Sequence, residues 1–65
     1  MNKLVNQKTF FPCWHAYNKA GQYVGRIEKD QYGCWAVYNH KGRRFAVWSY
    51  QEAREEAQLL TIDQL

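Results

Sequence analysis

Between residues 10 and 48 the apolar positions fall into four short runs, at about 10–17, 22–29, 34–39 and 43–48, rich in Phe, Tyr, Trp, Val and Ile. That composition suits half-buried strands. The runs are separated by one repeated polar signal: "NKAG" at 18–21, "DQYG" at 30–33 and "NHKG" at 39–42. Each places Asn or Asp first and Gly fourth. An Asn or Asp side chain caps a type I turn from its first position, and glycine takes the left-handed conformation that closes the hairpin with a bulge. The signals are 12 and then 9 residues apart, the spacing of antiparallel hairpins rather than of βαβ units.

The period then changes. In "SYQEAREEAQLL", Ser49 and Glu52 form a capping box, and Ala53, Ala57 and Leu60 recur on one helical face, which Tyr50 extends by a turn. Glu52, Glu55 and Glu56 near the start suit the helix dipole. A helix over about 50–60 is predicted, its alanines allowing close approach to the sheet. The expected fold class is therefore α+β: a four-stranded antiparallel β-meander followed by one C-terminal helix packed on one face. Residues 1–9 lack a period and are expected to form a mobile arm, residues 10–60 the single domain, and 61–65 a fraying tail. Pro12 is tolerable near the start of the first strand if that strand lies at the edge.

Alternation sorts the strands into two faces. In the fourth, Arg43, Phe45 and Val47 oppose Arg44, Ala46 and Trp48. In the third, Trp35 and Val37 oppose Cys34, Ala36 and Tyr38. In the second, Tyr23, Gly25 and Ile27 oppose Val24, Arg26 and Glu28. One helix covers one face, and the most apolar choice is Ile27, Trp35, Val37, Phe45 and Val47. This leaves Arg26, Tyr38, Arg44 and Trp48 uncovered, joined by Cys13, His15 and Tyr17, or by Trp14, according to the register of the first strand. Exposed arginines and aromatics can simply cover an antiparallel sheet. The same composition marks interaction hot spots and nucleic-acid-binding sheets.

Charge sharpens that second reading. The 65-residue chain carries +3 overall, but residues 1–48 hold +6 and residues 49–65 hold −3, so the positive field belongs to the sheet. Such a field points towards a polyanion. No apolar run approaches the ~18 residues of a membrane span, no signal-peptide core is present, and a cytoplasmic location without membrane contact is expected. Cys13 and Cys34 are too few for a disulfide framework and are expected as free thiols.

The stretch "GCWAVYNHKGRRFAVWSYQEAREEA" resembles the DNA-binding domains of plant ethylene-response factors and the arm-binding domains of phage tyrosine integrases. Gly33 and Trp35 match the opening Gly-x-Trp. Gly42, Arg43 and Arg44 match the turn and basic strand, and Ser49, Glu52 and Ala53 match the helix start. The likeness covers about 25 residues. Two departures stand out: Val47 occupies the family's aromatic position before the cap, and four strands are expected here against the family's three. The resemblance implies a sheet that enters the major groove, with Arg44 the foremost contact residue and Arg26 fitting from the preceding strand. Tyr38 and Trp48 follow from the face assignment alone.

Other chemistry has less to build on. Cys13, His15, Cys34 and His40 are metal-ligand types, but zinc needs four ligands in a tetrahedron and no CxxC knuckle is present, so no metal or other cofactor is expected. The Cys13–His15 pair has no evident third group for nucleophilic catalysis, no phosphate-cradling glycine loop exists, and no enzyme is expected. Two functions remain. One is a small DNA-binding protein, or an accessory factor of a mobile element, that meets double-stranded DNA through Arg26, Tyr38, Arg44 and Trp48. The other is a phage- or plasmid-encoded inhibitor or binding module that presses the same face on an acidic protein. Specific DNA binding by one such module would be weak, so homodimerisation or fusion to a larger machine would accompany the first.

Overall fold

A computed structural model describes residues 1–63. Its elements are β1 (Lys3–Asn6), β2 (Cys13–Tyr17), β3 (Tyr23–Lys29), β4 (Trp35–Asn39), β5 (Arg44–Val47) and α1 (Tyr50–Gln58). Among the described residues the strands form one antiparallel sheet in chain order, β1 to β5. The helix packs across β3 and β4 and reaches β5. The fold is α+β with a C-terminal helix on one face, and it has five strands rather than the four expected.

Three of the four hairpins are built by the same local chemistry. The Gly21, Gly33 and Gly42 amides donate to the carbonyls of Asn18, Asp30 and Asn39, at 2.9, 3.1 and 2.9 Å. Each first residue also accepts two further amide bonds on its side-chain oxygen: Asn18 from Ala20 and Gln22, Asp30 from Tyr32 and Cys34, Asn39 from Lys41 and Arg43. The three glycines have φ of 82°, 83° and 87°, a region that costs glycine little and other residues more. The repeated tetrapeptide is thus a complete, locally satisfied turn.

The extra strand comes from the stretch expected to be a mobile arm. "KLVN" is too short to announce itself and is followed by no Asn/Asp-x-x-Gly turn. It becomes a strand by pairing with β2, Leu4 opposite Ala16 and Asn6 opposite Trp14, and Leu4 packs against the core. Its loop back is held by the Gln7 amide on the Cys13 carbonyl at 2.8 Å and the Lys8 amide on Asn6 Oδ1 at 2.8 Å. The second strand therefore starts at Cys13, not residue 10, and is internal. Pro12 lies just before it, in the loop, where only its carbonyl is used, accepting from the Lys29 amide.

Asn2 fixes the arm to the far end of the chain. Its Nδ2 donates to the carbonyls of Ala57 and Leu60 at 2.8 and 2.9 Å, and its amide donates to Gln58 Oε1 at 2.7 Å. Gln58 Nε2 in turn donates to the Asn2 carbonyl. Carbonyls at a helix C-terminus lack intrahelical partners, and here Asn2 adds a donor to the Ala57 carbonyl, which also accepts from the Leu60 amide at 3.3 Å.

The covered face is the one chosen by alternation. Ile27 and Val37 are buried with Ala53, Ala57 and Leu60, and Trp35 and Val47 pack against them. Phe45, on the edge strand, keeps 41% of its surface exposed because the helix lies mainly over the middle strands. Trp14 joins this face, its ring 6.2 Å from Trp35 and 5.3 Å from Tyr50. One expectation fails in β3. Ala16 pairs with Gly25 and Tyr17 with Tyr23, so Val24 is an extra residue in a β-bulge. The bulge turns Val24 into the core and Tyr23 to the opposite face, reversing the expected alternation at those two positions. Gly25 sits where a Cβ would lie 2.1 Å from the Tyr38 carbonyl oxygen and 2.7 Å from Leu60 Cδ1, at φ 149°. Only glycine lets β4 and Leu60 approach this closely.

The helix starts where the capping box placed it. Ser49 Oγ accepts from the Glu52 amide at 3.1 Å. The return bond reaches one residue further back than in the usual box, to the Trp48 amide, 3.4 Å from Glu52 Oε2. The helix ends at Gln58 rather than at 60. Leu60 follows just beyond the turn at Leu59 and is still buried. Of the tail expected to fray, Gln64 and Leu65 lie outside the described residues.

Candidate nucleic-acid interface

Strand register assembles a row across all five strands on the uncovered face: Val5, His15, Arg26, Tyr38 and Arg44. A second row runs Cys13, Glu28, Ala36 and Ala46, and Tyr17 and Tyr23 stand beside the first. Cys13, His15 and Tyr17 are thus on this face, and Trp14 is not. Three of the four predicted site residues, Arg26, Tyr38 and Arg44, are direct cross-strand neighbours. Trp48 lies beyond the end of β5, not inside it, and shares a cleft of about 400 Å3 with Gly33, Cys34, Arg44 and Ala46.

Arg26 is already engaged. Its guanidinium carbon lies 3.8 Å from the centre of the Tyr38 ring, a cation–π contact, and Nε donates to Glu28 Oε2 at 3.2 Å. Burial works against its charge, but hydrogen bonding with Tyr23 and Glu28 and the Glu28 carboxylate outweigh it and hold the guanidinium above its usual value. Arg26 therefore organises the centre of the face and neutralises Glu28 there. The Cys13 thiol, 4.0 Å from the same carboxylate oxygen, is pushed up from 9.0 by burial and then by Glu28, against the opposing effect of Arg26.

Arg44 is exposed, as are Lys3, Lys19, Lys41 and Arg43. The antiparallel topology gathers all five at one end of the sheet, at the start of β1, the β2–β3 turn and the β4–β5 hairpin. Arg43 also leans on Phe45, 5.2 Å from its ring centre. The opposite end carries exposed aromatics: Phe10, Phe11, Tyr32 and Trp48. Glu55 and Glu56 are exposed on the helix, across the sheet from Arg44. Cations thus border one end of the open face, while Glu55 and Glu56 lie behind it on the helix.

Lys3 and Tyr23 belong to this face and were not foreseen. Lys3 depends on β1, and Tyr23 depends on the bulge, for which the isolated glycine at 25 inside a strand was the available signal. Cys13 and His15 share the open face, whereas His40 sits in the β4–β5 turn and Cys34 just before β4. Among the described residues no three His, Cys, Asp or Glu side chains converge as a metal-binding group, and no helix is long and apolar enough to cross a membrane. No protein-family model, characterised protein or solved structure matches this chain.

Proposed function

We propose that this is a small non-enzymatic DNA-binding protein that uses its open sheet face and the basic end bordering it. The observation that carries the reading is the gathering of Lys3, Lys19, Lys41, Arg43 and Arg44 at one end of an uncovered face whose central carboxylate, Glu28, is neutralised by Arg26. Exposed cations release counterions from phosphates, which supplies most non-specific affinity. The Arg26–Tyr38 stack and the His15–Tyr23 contact, 5.1 Å between ring centres, hold the face rigid behind them. Titration of labelled DNA at two salt concentrations tests this. Affinity should fall steeply with salt, and Arg44→Ala should flatten the slope by about 0.9 per lost phosphate contact on a duplex. Affinity indifferent to salt and to Arg44 would remove the reading.

A second reading rests on the opposite end. Phe10 and Trp48 are 93% and 94% exposed, and aromatics are among the residues that dominate protein interfaces. An acidic protein partner would make Trp48→Ala the most damaging substitution, at about 2 kcal/mol or more, with little salt dependence. Capture from a lysate that survives nuclease treatment would favour it over DNA.

A further inference from the structure

The sheet is five strands wide, which bears on the form of nucleic acid it can hold. Four inter-strand gaps of about 4.8 Å make it roughly 19 Å across before side chains are added, whereas the major groove of B-DNA is about 12 Å wide. Laid flat, a face this wide does not fit within one major groove. A single strand has no groove walls and can lie across it.

One corner of the face is shaped for a base. The Trp48 indole is 94% exposed, so it adds little to the packing of the fold. Its backbone is fixed all the same: the amide donates to Glu52 Oε2 at 3.4 Å, and the next residue, Ser49, caps the helix. The indole is therefore presented from a backbone tied to the start of the helix. The cleft it shares with Arg44 is also lined by Trp35 and Val47 and by Gly33, Cys34 and Ala46, whose small side chains leave room for a planar ring. A flat apolar surface next to a free guanidinium matches a base joined to a phosphate. The other exposed-aromatic corner matches less well: Phe10 and Phe11 pack edge to face at 4.8 Å, and their cleft sets Asp30 beside Lys29, with Glu28 neutralised by Arg26, so it offers a phosphate no net positive charge.

Building on the DNA-binding reading, we propose that the ligand is single-stranded nucleic acid, with a base stacked on Trp48 and a neighbouring phosphate on Arg44. Stacking of this kind tolerates any base, because every base has a π face.

The test is fluorescence anisotropy with end-labelled oligothymidine of about 16 nucleotides, the oligouridine RNA of equal length, and a duplex of that length, at two salt concentrations. The protein is compared with Trp48→Ala, Trp48→Phe and Arg44→Ala, with circular dichroism as the control for folding. Tighter binding of either single strand than of the duplex is expected. Trp48→Ala should weaken it roughly tenfold and Trp48→Phe much less, while Arg44→Ala should flatten the salt slope by about 0.7. Duplex binding at least as tight as strand binding, or a folded Trp48→Ala variant that binds like the parent, overturns the proposal. If the duplex alone binds and Arg44 matters, the single-strand proposal falls and the DNA reading stands. If no nucleic acid binds at low salt, both fall.

Discussion

Asn2→Ala removes the two bonds that Asn2 Nδ2 makes to the Ala57 and Leu60 carbonyls while leaving its main chain free to hold Gln58. At about 0.5–1.5 kcal/mol for each bond, the loss should be about 1–3 kcal/mol. A chain of this length has a total stability of roughly 3–10 kcal/mol, so a substitution at the second residue is expected to remove a substantial part of it. With a urea slope near 1 kcal/mol/M, the midpoint should fall by about 1–3 M. Asn2→Asp gives a sharper test. It removes the same donors and sets a negative charge at the negative end of the helix dipole, for a further cost of about 0.3–1 kcal/mol. The fold then disfavours the charged form and raises the pKa of the introduced carboxyl. The difference between the Asp and Ala variants should be present at neutral pH and shrink as pH falls and the carboxyl is protonated. An Asn2→Ala midpoint equal to the parent's, or an Asp variant more stable than the Ala variant at neutral pH, would refute the assignment of Asn2 as the helix's C-terminal partner.

Other substitutions probe separate parts of the fold. Gly25→Ala should prevent folding or cost several kcal/mol in urea melts, because the added Cβ meets the Tyr38 carbonyl, a backbone atom that cannot rotate away. Ser49→Ala should cost about 0.5–2 kcal/mol, and Trp35→Ala about 3–5 kcal/mol, since its ring packs 5.0 Å from Tyr50 and 6.2 Å from Trp14. For the thiols, Cys34 is exposed and Cys13 half-buried with a raised pKa, so iodoacetamide should label Cys34 first, and equal rates would contradict the placement of Cys13. Because the folded state favours the Cys13 thiol over the thiolate, its contribution is present below pH 9.0, the ordinary value, and lost as pH rises through the raised folded value; Cys13→Ala should lose less stability on alkaline titration than the parent.

Much of this fold is decided by chemistry local in sequence. An Asn or Asp with glycine three residues on satisfies its own turn, so the three turns are set locally, although the hairpins they close need the rest of the sheet to be stable. Ser49 and Glu52 start the helix in the same way. Once the turns set the pairing, alternation follows, and with it the covered set around Ile27 and Val37 and the cross-strand neighbours Arg26, Tyr38 and Arg44. Tertiary structure decided what local pattern could not carry. The strand Lys3–Asn6 exists because β2 offers an edge and Asn2 meets a helix end 55 residues away in sequence. The bulge at Val24 places Tyr23 on the open face, and the space is set by Leu60 and the β4 backbone above Gly25. Trp14 faces inward because its register sets it opposite Ile27, and Arg26 is tied to Glu28 because both stand half-buried on the same face. Long-range pairing and steric fit have no signature in a short window of residues, and these features depend on them.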